Sequence, residues 1–175
     1  MTTTPGPAIR RLRSLDDAQI GDLAELLIDC TAGGAGVGFM HPVAPDKARA
    51  FWQRIAARVA NDEIALLVAE DETGIVGTVQ LIVQQPENQP HRADLAKMLV
   101  HRRARRQGLG AALMTAAEQL ARDSGKTLLV LDTFTGSDAE RLYARLGWVR
   151  VGEIPDFALQ ARGGLLGTTV FYKAL

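Results

Sequence analysis

Apolar residues recur at two different spacings along this chain, and the spacings alternate. Ala18 to Cys30 carries Ile20, Leu23, Ala24, Leu27 and Ile28 at three- and four-residue steps, and Asp46 to Ala60 repeats the pattern with Ala48, Phe51, Trp52, Ile55, Ala56 and Val59. Each stripe predicts an amphipathic helix. A third stripe, Leu109, Ala112, Leu113, Ala116, Ala117, Leu120 and Ala121, predicts a helix over Gly108 to Ser124, and a fourth helix covers Ser137 to Leu146. Between the helices lie short apolar runs that read as strands: Ala8 to Arg13, Ile64 to Glu70, Ile75 to Gln84, Ala93 to Val100, Leu128 to Thr133, Trp148 to Ile154 and Thr168 to Ala174. Asp71-Glu72-Thr73-Gly74 joins the second and third as a hairpin signal. The strand, helix, strand unit from Ala93 to Thr133 implies a parallel pair with a right-handed crossover, and so an α/β chain.

No repeat or linker divides this pattern, and 175 residues suit one domain, expected over 8–175 behind a flexible segment at 1–7. Twenty basic and 20 acidic residues cancel, so no global field draws the chain to nucleic acid or to an anionic membrane. Cys30 is the sole cysteine, which excludes an internal disulfide and suits a reducing cytoplasm. Met1 to Pro7 lacks the apolar core of a signal peptide, and no segment approaches the roughly 20 apolar residues of a membrane span. A cytoplasmic protein is expected.

The chemistry concentrates where the Ala93 to Val100 strand turns through His101-Arg102-Arg103-Ala104-Arg105-Arg106-Gln107-Gly108-Leu109-Gly110 into a helix. The first N–H groups of a helix lack intrahelical partners and carry the positive end of its dipole, so such a turn holds phosphate through backbone alone. No Gly-Lys-Ser/Thr ending marks a nucleoside triphosphate loop, and the third glycine of a dinucleotide fingerprint is missing. The arginine run is short and has no interleaved aromatics for base stacking, which speaks against a nucleic-acid patch. His41 and His91 lack metal-ligand spacing, so no metal is implied.

Arg105-x-x-Gly108-x-Gly110 resembles motif A of the GNAT acetyltransferases, and Ala139 to Trp148 resembles their Ala-x-x-Leu-Tyr-x-x-x-Gly-Phe motif. The order β-α-α-β-β-β-α-β-α-β-β is the element order of the GNAT fold, which implies a mixed central sheet of about seven strands with four flanking helices (α/β, or α+β). The resemblance implies acetyl-coenzyme A as acetyl donor. It also implies coenzyme contacts from Leu99, Val100, Arg105, Arg106, Gln107, Gly108, Leu109, Gly110 and Ala111, with Arg105 and Arg106 at the pyrophosphate, Arg102 or Arg103 at the ribose phosphate, and N–H groups around Leu99 and Val100 polarising the thioester carbonyl. Tyr143 matches the family tyrosine that protonates the departing thiolate. Many relatives carry asparagine seven residues before that tyrosine; here it is Gly136, so Ser137 or water is left to make the contact.

Gly33 to Met40, Arg92-Ala93-Asp94, Leu131-Asp132-Thr133, Gly136-Ser137-x-Ala139-Glu140 and Arg150 to Pro155 together resemble the tabtoxin-resistance acetyltransferases, which acetylate a β-lactam toxin. Acetyl transfer needs a neutral amine, and two carboxylates are candidates to take its proton. By strict alternation Asp94 shares a strand face with Ala96, Met98 and Val100, six residues before Val100, where histone-acetylating members carry a glutamate base. Asp132 ends a strand at its carboxyl end, where ligands usually bind in open α/β sheets. A relay through both is the preferred reading. The Gly33 to Met40 segment reads as a lid, with Gly36, Phe39 and Met40 shaping the acceptor pocket. The expected activity is acetylation of a small polar amine or hydroxyl, a tabtoxin-like β-lactam among the candidates, by a monomer or homodimer. The alternatives are an acetyltransferase for another small molecule or protein amine, and a non-catalytic acyl-coenzyme A sensor.

Overall fold

Local chemistry sets the helix starts in this computed structural model, which describes residues 6–175. The flexible segment expected at residues 1–7 lies outside the described residues except for Gly6 and Pro7. After β1 (Ala8–Leu12), Asp16 caps α1 (Asp17–Ala32) by accepting from the Gln19 N–H, while the Gln19 side chain accepts from the Asp16 N–H. That reciprocal box satisfies two donors the helix cannot. Helix α2 (Pro45–Ala60) begins on a proline, whose missing N–H has no partner to lose at a first turn.

The rest follows as β2 (Ile64–Asp71), β3 (Gly74–Ile82), β4 (Arg92–Val100), a 3-10 turn at Arg102–Ala104, α3 (Leu109–Asp123), β5 (Leu128–Phe134), α4 (Asp138–Arg145), β6 (Val149–Leu159) and β7 (Leu165–Ala174). One seven-stranded mixed sheet runs β1-β2-β3-β4-β5-β7-β6, antiparallel except for β4 beside β5. The element order is the expected one. Strand β6 runs on to Leu159 instead of ending at Ile154, and β7 begins at Leu165 instead of Thr168. Pro155 and Asp156 interrupt the apolar signal there, yet an edge strand tolerates proline because its outer N–H groups need no ladder partner.

Two cores sandwich the sheet. Helices α3 and α4 bury Leu113, Met114, Ala117 and Tyr143 against one face, with Leu95, Leu129, Leu131 and Phe171. On the other face α1 and α2 bury Leu23, Leu27, Trp52 and Ile55 against Leu66, Val68 and Leu99. Leu95 and Leu99 thus lie on opposite faces, although strict alternation puts them on the same one. The cause is an extra residue in β4: Thr78 pairs with Leu99 and Gln80 with Ala96, and Lys97 takes φ +51°. That is a β-bulge. It corrects the expected placement of Asp94, which stays with Ala96 on the α1/α2 face while Met98 and Val100 turn toward the α3 core.

Candidate active site

Strands β4 and β5 pair only at Arg92 with Leu128, Ala93 with Leu129 and Asp94 with Val130. Beyond Asp94 they part, and the β5-facing side of β4 from Leu95 onward has no strand beside it. A cavity of about 1000 Å³ fills the opening. Its lining includes Leu99, Val100, Arg105, Arg106, Gly108, Leu109, Gly110, Ala111, Asp132, Ser137, Tyr143 and Gly36 from the residues singled out in the sequence.

The turn into α3 is built for close approach. Gly108 caps the helix at φ +79° and Arg106 precedes it at φ +60°, two left-handed residues that curve the intervening amides toward one side. A Cβ placed on Gly108 meets no protein atom within 4 Å, so glycine is required there by its backbone angle, and the space over the turn is open. Gly110 answers to packing: its Cβ would reach within 3.2 Å of Leu142 Cδ2, so the missing side chain lets α3 settle against α4. These features fit a pyrophosphate, with free N–H groups, a bare cradle and the Arg106 cation at its rim.

The four arginines divide. Arg105 donates from Nε to the Val100 carbonyl at 3.0 Å, and both Arg105 and Arg106 line the cavity. Arg102 is held by Asp29 at 2.8 Å and Arg103 by Asp71 at 2.6 Å, which ties the turn to α1 and to the β2–β3 hairpin. Burial opposes the Asp29 charge, but backbone and side-chain hydrogen bonds from Arg102 outweigh it and lower its pKa. The Arg103 hydrogen bond holds Asp71 at about 2. Neither Arg102 nor Arg103 borders the cavity, nor does Gln107, whose amide donates to the Arg103 carbonyl at 3.4 Å.

Tyr143 sits on α4 between Trp148 and Phe171, each ring centroid 6.1 Å away, and is 6% exposed at the cavity wall. Burial, and secondarily the charge of Asp132, raise its pKa far above the ordinary tyrosine range, so the hydroxyl stays protonated. Ser137 caps α4, accepting from the Glu140 N–H at 3.1 Å, and Gly136 before it stands at φ +78° with its N–H donated to Glu140.

Asp132 accepts from the Thr168 hydroxyl at 2.8 Å and has its other oxygen free of hydrogen bonds among the described residues. Asp94 lies one step back on the same sheet face, across the β4–β5 seam. It is engaged by Arg92 and by the Gln85 amide at 3.1 Å. Both carboxylates border a second opening of about 390 Å³, walled by Ile82, Ile154, Phe157 and Val170. No contact joins them directly.

Of the expected acceptor residues, Gly36 borders the cavity. Phe39 instead stacks edge-on with Phe51 at 5.2 Å in the α1/α2 core, and Met40 is exposed. The cavity also takes in Lys97, Phe134 and Thr168, which nothing in the local sequence marks out. Among the described residues no helix is long and apolar enough to cross a membrane.

The sequence matches the acetyltransferase (GNAT) family over residues 22–148. It is 30% identical over 126 residues to an uncharacterized N-acetyltransferase encoded in the hisH-hisA intergenic region of Azospirillum brasilense, covering 71% of this chain and 73% of that protein. The fold matches a ribosomal-protein-alanine N-acetyltransferase from Brucella melitensis at TM-score 0.79 and 23% identity, over 96% of this chain and 99% of that one. It also matches a putative acetyltransferase from Salmonella typhimurium, solved with its cofactor acetyl-CoA, at TM-score 0.78 and 21% identity, over 98% and 95% of the two chains. An opened β4–β5 seam, a bare glycine turn at the start of α3 and a family match over most of the chain agree: this chain belongs to the acetyltransferase (GNAT) family, N-acetyltransferases that draw on acetyl-coenzyme A.

Proposed function

We propose that this chain acetylates a small polar amine or hydroxyl acceptor, with a tabtoxin-like β-lactam amino acid as the specific candidate from its sequence resemblance. One arrangement carries the reading: Asp132 and Tyr143 border the same cavity as the bare N-terminal turn of α3.

Bound acetyl-coenzyme A supplies an acyl thioester, whose carbonyl carbon forms a bond to the acceptor as the bond to sulfur breaks. Backbone N–H groups of Leu109 to Ala111 and the Arg106 guanidinium hold the phosphates, and Arg105 braces the end of β4 through the Val100 carbonyl. The unpaired edge of β4 near Leu99 and Val100 offers N–H groups to a carbonyl oxygen, where developing negative charge is best met by fixed donors. Asp132, open to the cavity on one oxygen and steadied by Thr168 on the other, accepts the proton the amine must lose. Asp94 supports it as the second member of a relay, itself fixed by Arg92 and Gln85. Tyr143, held protonated, donates to the departing sulfur.

Thiol release from acetyl-coenzyme A, followed with a panel of amines and by product mass, tests the reading. A gain of 42 mass units on one acceptor class is expected, the mass of an acetyl group replacing hydrogen, roughly a two-carbon unit by covalent bookkeeping. Tight coenzyme binding without thiol release in the presence of any acceptor would return the chain to the sensor class.

A further inference from the structure

Lys97 has no part in the chemistry above, yet its position is costly. It is the bulged residue of β4, held at φ +51°, a conformation that non-glycine residues rarely adopt without a reason. Its side chain is half-buried at the cavity, with Nζ 5.7 Å from the centre of the Phe51 ring on α2. Among the described residues the ammonium has no hydrogen bond and no ion pair. Burial lowers its pKa, and the charge of Asp132 opposes that shift, so the two feel each other across the opening without touching.

A half-buried ammonium whose partner is an aromatic ring, with no anion beside it, leaves room for one from outside. An acceptor bearing a carboxylate next to its amine would answer both charges: carboxylate on Lys97, amine toward the free oxygen of Asp132. Phe51, with its ring centre 5.7 Å from the ammonium, would steady the cation that meets the carboxylate. The bulge also explains why Lys97 reaches this place, since an unbulged β4 would alternate it onto the face of Leu95 and into the α3 core.

We infer that the acceptor is a zwitterionic amino acid, and that Lys97 is the specificity-determining residue that holds its carboxylate. This rests on the proposed acetyl transfer and narrows its acceptor.

The test compares kcat and KM for the proteinogenic L-amino acids and their matching carboxamides, with spermidine and a short peptide as further acceptors. Amino acids should be preferred to their amides by about tenfold or more, the factor one charge-assisted hydrogen bond commands. Lys97→Asn keeps a residue that tolerates positive φ and removes the charge. It should raise KM for the amino acids by a similar factor, leave kcat near the parent and leave amide kinetics unchanged; Lys97→Arg should retain the preference. Equal use of acids and amides by the parent, or equal losses on both in Lys97→Asn, overturns the inference. So does acetylation of spermidine or the peptide with no free amino acid accepted, an outcome that leaves acetyl transfer standing. No thiol release from acetyl-coenzyme A with any acceptor removes both.

Discussion

Gly36 lies flat against the ring of Phe134, so close that a Cβ on Gly36 would overlap three of the ring carbons. The segment between α1 and α2 is thereby seated on the end of β5, two residues beyond Asp132. A glycine-rich stretch that could have been a loose lid is pinned there, beside the proposed proton acceptor, as it is pinned by Phe39 on Phe51.

Gly36→Ala should push the segment off Phe134. Overpacking of this kind costs about 1–3 kcal/mol, and KM for the acceptor should rise while acetyl-coenzyme A affinity holds. Thermal melts and steady-state kinetics read both. Adding Phe134→Leu to Gly36→Ala should recover part of each loss; losses that simply add would show that the contact does not couple the two.

Gly108→Ala tests the cradle. The side chain meets no protein atom, so the fold should survive with a penalty of about 1–2 kcal/mol for a left-handed alanine. The rise in melting temperature that acetyl-coenzyme A gives the parent by mass action should disappear. Gly110→Ala crowds Leu142 instead, so it should lower stability and keep most of the ligand-induced shift. Equal shifts in Gly108→Ala and the parent would move the phosphate site elsewhere.

Tyr143→Phe should leave coenzyme affinity nearly intact and lower kcat by about 100- to 10,000-fold, the usual range for a positioned proton donor. An ordinary tyrosine begins to lose its proton near pH 10. Because burial and Asp132 raise this one, the parent should show no falling limb from Tyr143 up to that pH. A parental rate in the variant, with chemistry limiting, returns Tyr143 to the aromatic cluster with Trp148 and Phe171.

The α3 turn was legible because its information is local. Arg105, Gly108 and Gly110 sit within six residues, and a helix N-terminus needs only backbone to bind an anion. Lys97 was not legible. One inserted residue reverses the faces of a strand, and nothing in Ala96-Lys97-Met98 announces it, because bulges are set by pairing with a distant strand. Thr168 was hidden for the same reason: it reaches Asp132 through the β5–β7 register, 36 residues away in sequence. Phe39 carried the apolar character expected of a pocket wall, but a T-shaped contact with Phe51 absorbed it into the core.

The two carboxylates differ in what already occupies them, and that difference predicts unequal losses. Asp94 has Arg92 on one oxygen and Gln85 on the other, whereas Asp132 keeps one oxygen open to the cavity. Asp132→Asn should therefore cost more, about 100-fold or greater in kcat/KM for a lost general base, and Asp94→Asn less. The loss should be steepest at low pH, where the acceptor amine is mostly protonated and has a proton to surrender. If the pair serves one relay, the double variant should be little worse than Asp132→Asn alone, because groups acting as a unit are non-additive. Measuring kcat/KM against pH for the parent and all three variants decides it. Fully multiplicative losses reject the relay, and a parental rate in Asp132→Asn leaves water to take the proton.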